Sequence, residues 1–287
     1  MLYRLRKVFG ILSLSVAMLS LPFFVERANG AFRPAKIVIE LPFNSAWESR
    51  APSPEVCAVL SHPFSYVSRG AQAYVFASED DQFVLKVFRG SPRPHSWNHY
   101  LRHYILGKRE KRSVVEKIPA LFSACQLAYT KVPELTGLVY MHLNATKDLL
   151  PKTLFINGMK RKIAIDLNQC RFVLQKKGRP IGTSFLEAVQ ANDQAKFQRL
   201  SRAFVSLLEE RTLKNIGNSD RTIWYNFGFV GETAIEWDFG RYYHNPDFHD
   251  RFFREQEIQL FTQSLQRFLD DIAPDWPVNL SERIIFL

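Results

Sequence analysis

At 287 residues, 46% of them hydrophobic and 14% aromatic, the chain can build one sizeable core or a two-lobed domain and is not a disordered polymer. Its formal net charge of +10 suits contact with acidic surfaces, but no nucleic-acid-binding module is visible and nucleic acid is not expected as a partner. Cys57, Cys125 and Cys170 are few, far apart and without metal-ligand spacing, which argues against a disulfide framework and makes free thiols the expectation.

Arg4, Arg6 and Lys7 precede an apolar run over 8–25, and Ala28 and Gly30 would permit cleavage before Ala31. Residues 1–31 therefore read as a signal peptide or, because the run just reaches bilayer-spanning length, as a retained anchor. Either way the basic end stays in the cytoplasm, and the remainder is exported or held at a membrane through residues 8–25. Prolines at 34, 42, 52, 54 and 63 make 32–63 an extended linker with one strand at 36–41, and the folded domain is expected to begin near Phe64.

Alternating apolar and β-branched residues over 67–76 and 82–88, around a polar turn at 78–81, predict an antiparallel pair that carries Lys86. On an alternating sheet such a lysine ordinarily points to solvent. Residues 89–117 read as an insertion, in which His95, His99 and His103 could share a helix face but lack acidic or cysteine partners for a metal. Helical spacing covers 118–130, and 133–142 is expected to continue as a second helix with Pro133 in its first turn. Residues 154–156 and 162–165 flank Asn157-Gly158 as a hairpin, and 170–178 is a strand running into a Gly/Pro connection. Leu200, Phe204, Leu207 and Leu208 give 183–213 one buried helical face, with Asn192-Asp193 as an N-cap. A last amphipathic helix is expected over 256–272, stopped by Ala273-Pro274.

The stretch 218–241 carries the chemistry. Its apolar runs 227–230 and 234–237, joined by Gly231-Glu232, read as a hairpin that returns Asp238 to the neighbourhood of Asn226. Two oxygen ligands would then converge beside a third carboxylate, Asp220, which suits Mg²⁺ held next to a nucleotide phosphate.

Asp220, Asn226 and Asp238-Phe239-Gly240, in that order, resemble the protein-kinase-like superfamily in an atypical form. Asn-Ser-Asp stands where His-Arg-Asp is usual, and Asn226 falls one position later than in the usual pattern. The resemblance spans 64–241 and implies an α+β, two-lobed fold: a small antiparallel β lobe over 64–178 with a helical insertion, and a reduced helical large lobe over 179–287. It implies ATP and Mg²⁺ as cofactors, Asp220 as base toward an unidentified hydroxyl substrate, Asn226 and Asp238 as metal ligands, and Lys86 on the α/β-phosphates. With Val75 as the loop valine, Ser68, Gly70 and Ala73 take the three glycine positions, small enough for backbone N–H groups to approach a phosphate. Glu134 is expected to orient Lys86, with Glu116 as second choice, although a helix-start glutamate is also favoured by the helix dipole alone. ATP is scarce outside a bacterial cytoplasm, so an exported kinase implies delivery into a host cell, as for an effector of an intracellular bacterium. The missing His-Arg, the depleted glycine loop and the absence of Ala-Pro-Glu keep a catalytically dead pseudokinase or nucleotide-binding scaffold as the alternative. An exported basic protein that docks on acidic surfaces is the third reading.

Overall fold

The computed structural model describes residues 32–48, 50–90 and 114–280, without the side chains of 114–116. The leader, the three spaced histidines and the Glu116 side chain lie outside the described residues. The chain forms a mixed α+β structure in which a seven-stranded sheet packs on a helical half. Among the described residues no helix is long and apolar enough to cross a membrane.

The sheet is built from β1 (Phe64–Arg69), β2 (Ala73–Ser78), β3 (Phe83–Phe88), β4 (Leu138–His142), β5 (Lys152–Ile156), β6 (Lys162–Asp166) and β7 (Phe172–Lys176), in the order β4-β7-β3-β2-β1-β5-β6. All neighbours are antiparallel except β1 and β5. Period-two alternation sends Tyr74, Phe76, Leu85, Val87, Phe172 and Leu174 into one core cluster, while Ala73, Phe88 and Val173 join the other. Lys86 lies between Leu85 and Val87 and therefore shares the second face, the one turned toward the helical half.

The expected linker is part of the folded body. Phe32, Ile37, Ile39 and Trp47 are buried, and α1 (Pro54–Ser61) lies against β5, with the Thr153 hydroxyl donating to the Leu60 carbonyl at 2.6 Å. The prolines misled because Pro34 and Pro54 occupy helix first-turn positions, where a missing N–H costs nothing. Ser53 caps α1 by accepting from the Val56 amide at 3.3 Å.

Residues 118–130 fall in α2 (Val114–Lys131), as the spacing predicts. The second helix expected over 133–142 is a single turn, α3 (Pro133–Thr136), stopped by Gly137 at φ 64°, after which the chain becomes β4. Tyr140, Met141 and His142 pair with Leu174, Val173 and Phe172 of β7 rather than extend the turn, and Val139 falls at a register shift.

The helical half begins with β8 (Arg179–Pro180) and α4 (Ile181–Gln190). Asn192 at φ 53° breaks the helix, and the Asp193 carboxylate accepts from the Lys196 amide at 2.8 Å to start α5 (Gln194–Leu213). Phe197, Leu200, Phe204, Leu207 and Leu208 form the buried face of α5, each fully buried aromatic or aliphatic side chain contributing about 1.5–3 kcal/mol. Next come β9 (Ile216–Asn218), the turn α6 (Ile223–Asn226), the hairpin β10 (Phe227–Val230) and β11 (Thr233–Glu236), and β12 (Tyr242–His244). The hairpin pairs Phe227 with Glu236 and Val230 with Thr233, and Gly231 at φ 61° supplies its turn. The last helix, α7 (Arg251–Ile272), buries Ile258, Phe261, Leu265 and Leu269.

His142 on β4 is buried, with Nδ1 2.8 Å from the Cys170 carbonyl and Nε2 3.0 Å from the Thr146 hydroxyl. Burial lowers its pKa from 6.5 to about 4, so between these values the unfolded chain binds a proton that the folded chain refuses. The sign is fixed: this contribution to stability is full above pH 6.5 and is lost as pH falls toward 4, at most about 3 kcal/mol. Urea midpoints at pH 7.5 and pH 5 should differ accordingly, and His142→Gln should flatten the difference.

Candidate functional site

A cavity of about 370 Å³ lies between the sheet and the hairpin end, a volume within the range of small-molecule sites. The sheet supplies Gly70 and Ala73 beside the β1–β2 turn, Val75, Val84 and Lys86, while the stretch after β11 supplies Trp237, Asp238, Phe239 and Gly240. The Gly70 amide donates to the Ala73 carbonyl at 2.9 Å and closes that turn. A Cβ on Gly70 would sit 3.6 Å from Ala73 O, an ordinary contact, so steric room at 70 does not demand glycine.

Lys86 donates from Nζ to the Trp237 carbonyl at 2.6 Å. Desolvation lowers its pKa, opposed first by the Asp238 carboxylate and then by Cys125. The Asp238 side chain is open to the cavity and accepts from the Gly240 amide at 3.3 Å. Of the residues expected at the site, Gly70, Ala73, Lys86 and Asp238 line the cavity together.

Asp220, Asn226 and Glu134 do not line it. Asn226 is buried beneath it: its carbonyl accepts from the Trp237 amide at 2.8 Å and the Asp238 amide at 3.4 Å, so the hairpin does return Asp238 to Asn226. Its Nδ2 donates to the Asp220 carbonyl at 3.4 Å. Asp220 is half-buried, with Arg241 Nε 3.9 Å from its Oδ2 and the Thr222 amide donating to Oδ1 at 3.1 Å. Burial works to raise its pKa, but the Thr222 hydrogen bonds and then Arg241 outweigh it and hold the carboxyl below the usual range.

Glu134 does not orient Lys86. It is exposed on the single turn α3, and the helix that faces the lysine is α2, which presents Leu121 and Cys125 to the cavity. Burial pushes the Cys125 thiol well above its ordinary range, so it stays neutral beside the lysine. Gly137 ends the turn after Pro133 and the chain becomes β4, so no long helix carries Glu134 toward the lysine.

Beneath the cavity lies a charged group that the sequence reading missed. Arg211 of α5 is fully buried and donates to Glu236 Oε2 at 2.7 Å and Glu257 Oε1 at 2.9 Å. Asn218 donates to Glu236 Oε1 at 2.7 Å and to the Asp238 carbonyl at 3.3 Å, while its Oδ1 accepts from the Asp220 amide at 2.8 Å. Tyr242 donates to Glu236 Oε2 at 2.6 Å. One carboxamide thus ties the loop of Asp220 to the strand end of Asp238. The signal was present: Arg211 falls on the apolar face of its helix, and Glu236 lies between Ile235 and Trp237.

No family model matches the chain, and no curated protein matches it. Among the described residues no three His, Cys, Asp or Glu side chains cluster as a metal site.

Proposed function

We propose that the chain is a Mg-ATP-dependent phosphotransferase of two-lobed, protein-kinase-like fold, exported or membrane-anchored through residues 1–31. The observation that carries this reading is the shared cavity of Lys86, from the third strand, and Asp238, which follows a hairpin returning to Asn226. Cation from one wall and carboxylate from the other suit a triphosphate and its metal, because phosphoryl transfer needs positioning and charge neutralisation more than covalent chemistry. The donor set fits Mg²⁺, which takes one or two carboxylate or carboxamide oxygens and completes its shell with phosphate and water. Asp238 offers a carboxylate in the cavity, and Asn226, buried beneath it with Nδ2 donating to the Asp220 carbonyl, would have to turn its Oδ1 toward the metal. Mg²⁺ would supply charge neutralisation there. Lys86 would exchange the Trp237 carbonyl for α/β-phosphate oxygens, and Asp220, held ionised, would accept the proton of the attacking hydroxyl.

A second reading, a non-catalytic nucleotide-binding scaffold, draws on two features. Lys86 faces a neutral thiol rather than a helix carboxylate, and Asp220 pairs with Arg241 outside the cavity. Asp220→Asn separates the two readings. For a phosphotransferase it should cut ATP turnover by about 10²–10⁴-fold and leave the Kd for Mg-ATP unchanged. Wild-type protein that binds Mg-ATP without releasing or transferring phosphate, toward itself or added hydroxyl acceptors, would establish the scaffold.

A further inference from the structure

The two ends of the seven-stranded sheet differ. β4 is buried along its length apart from Val139, whereas β6, among the described residues, pairs with β5 alone. Lys162, Ala164 and Asp166 are exposed, and Ile163 and Ile165 are half-buried at the rim of the sheet core. The Asn157 amide donates to the Arg161 carbonyl at 3.0 Å, which sets the phase of the β5–β6 ladder. By alternation Ile163 and Ile165 spend their backbone groups on β5, while Lys162, Ala164 and Asp166 turn theirs to the open edge. No proline or bulge interrupts this edge.

The strand Lys162–Asp166, read antiparallel, is complementary to itself. About a two-fold axis at Ala164, Lys162 falls opposite Asp166 of a second copy and Ile163 opposite Ile165, while Ala164 meets its own counterpart. The residues with outward backbone groups are then the ones that meet as hydrogen-bonded pairs, so backbone and side chains select one register. Within its own hairpin Lys162 faces Ile156, so a carboxylate directly opposite it comes only from the other copy. A parallel alignment would instead bring lysine near lysine and aspartate near aspartate.

We propose that β6 is a homodimer interface, at which two copies pair edge to edge, antiparallel about Ala164, into one continuous sheet. This goes beyond the nucleotide reading and stands or falls independently of it. The contact closes on itself, because the other end of the sheet is buried. An interface one strand wide lies under about 1,200 Å², so the dimer is reversible.

The test is cysteine cross-linking and sedimentation of the full-length protein in mild detergent. Under gentle oxidation Ala164→Cys should form a covalent dimer with itself, since the Cα atoms of a hydrogen-bonded pair lie about 5.5 Å apart, within disulfide reach. Lys162→Cys should not couple to itself, but should couple to Asp166→Cys when the two proteins are mixed. Wild type should sediment in a concentration-dependent monomer–dimer equilibrium. Ala164→Lys places like charges on the axis, and Lys162→Glu places a carboxylate against Asp166 twice over. Each should raise the dimer Kd at least about ten-fold, and both positions are exposed, so the fold should tolerate them. Asp166→Cys removes the acceptor of the Asn168 amide. If it does not fold, the contrast between Ala164→Cys and Lys162→Cys decides. The proposal is overturned if Ala164→Cys cross-links no better than Lys162→Cys, or if wild type sediments as a monomer throughout. A dimer whose Kd is unchanged in Ala164→Lys and Lys162→Glu would also overturn it, and would assign the association to a surface other than β6.

Discussion

Replacing Arg211 with methionine should destabilise the protein by about 3–5 kcal/mol, the cost of stranding buried charge when one partner of an ion pair is removed. Arg211 is fully buried between Glu236 and Glu257, so its loss leaves two carboxylates facing each other without a cation. Burial acts to lower its pKa, but Glu236, then Tyr242 and Glu257, outweigh this and hold it above the usual value. The guanidinium also lies 4.5 Å from the Phe261 ring centroid, adding a cation–π contact that methionine replaces only in part. A loss of this size is a large fraction of the whole, given stabilities of about 5–15 kcal/mol for folded domains. Adding Glu236→Gln and Glu257→Gln to Arg211→Met should recover at least half of the loss, because neutral amides are cheaper to bury unpaired than carboxylates. Urea unfolding of the variants measures both. A loss below about 1 kcal/mol for Arg211→Met would show that the charged trio does not hold α5, β11 and α7 together.

The same group shows where a sequence is informative. The hairpin 227–236 could be read directly, since two apolar runs around Gly231-Glu232 leave few alternatives, and its consequence, Asp238 returning to Asn226, followed. Lys86 was placed on its strand by alternation, but which face it took depended on Leu85 and Val87 filling the opposite core. That is a tertiary fact. Glu134 went wrong through a boundary: one glycine turned an expected helix into a strand and left α2, with Cys125, opposite the lysine. The 32–63 stretch went wrong through its prolines, which mark helix starts as readily as linkers. Asn218 was hidden because its role depends on what lies across from it: Glu236, the Asp238 carbonyl and the Asp220 amide.

Lys86→Ala and Asp238→Ala should each abolish the response of the protein to Mg-ATP. Lys86 contributes the cation that faces the triphosphate, and its removal leaves the phosphates against an apolar wall of Val173, Leu121 and Phe88. Asp238 contributes the carboxylate that a metal–phosphate complex needs on the other side. Both side chains reach the cavity, and the Asp238 side chain is open to it, so these substitutions test binding with less risk to the fold than changes at Arg211.

The decisive measurement is a thermal-shift titration of the full-length protein with ATP, with and without Mg²⁺, alongside both variants. At one hundred times Kd, a ligand that binds only the folded state stabilises it by about 2.7 kcal/mol. At about 2–4 °C per kcal/mol for 150–250 residues, that is a rise of several degrees. The rise should require Mg²⁺ in wild type and vanish in both variants. A shift that persists in Lys86→Ala and Asp238→Ala, or no shift in wild type at saturating Mg-ATP, would contradict the claim that these two groups meet around one triphosphate.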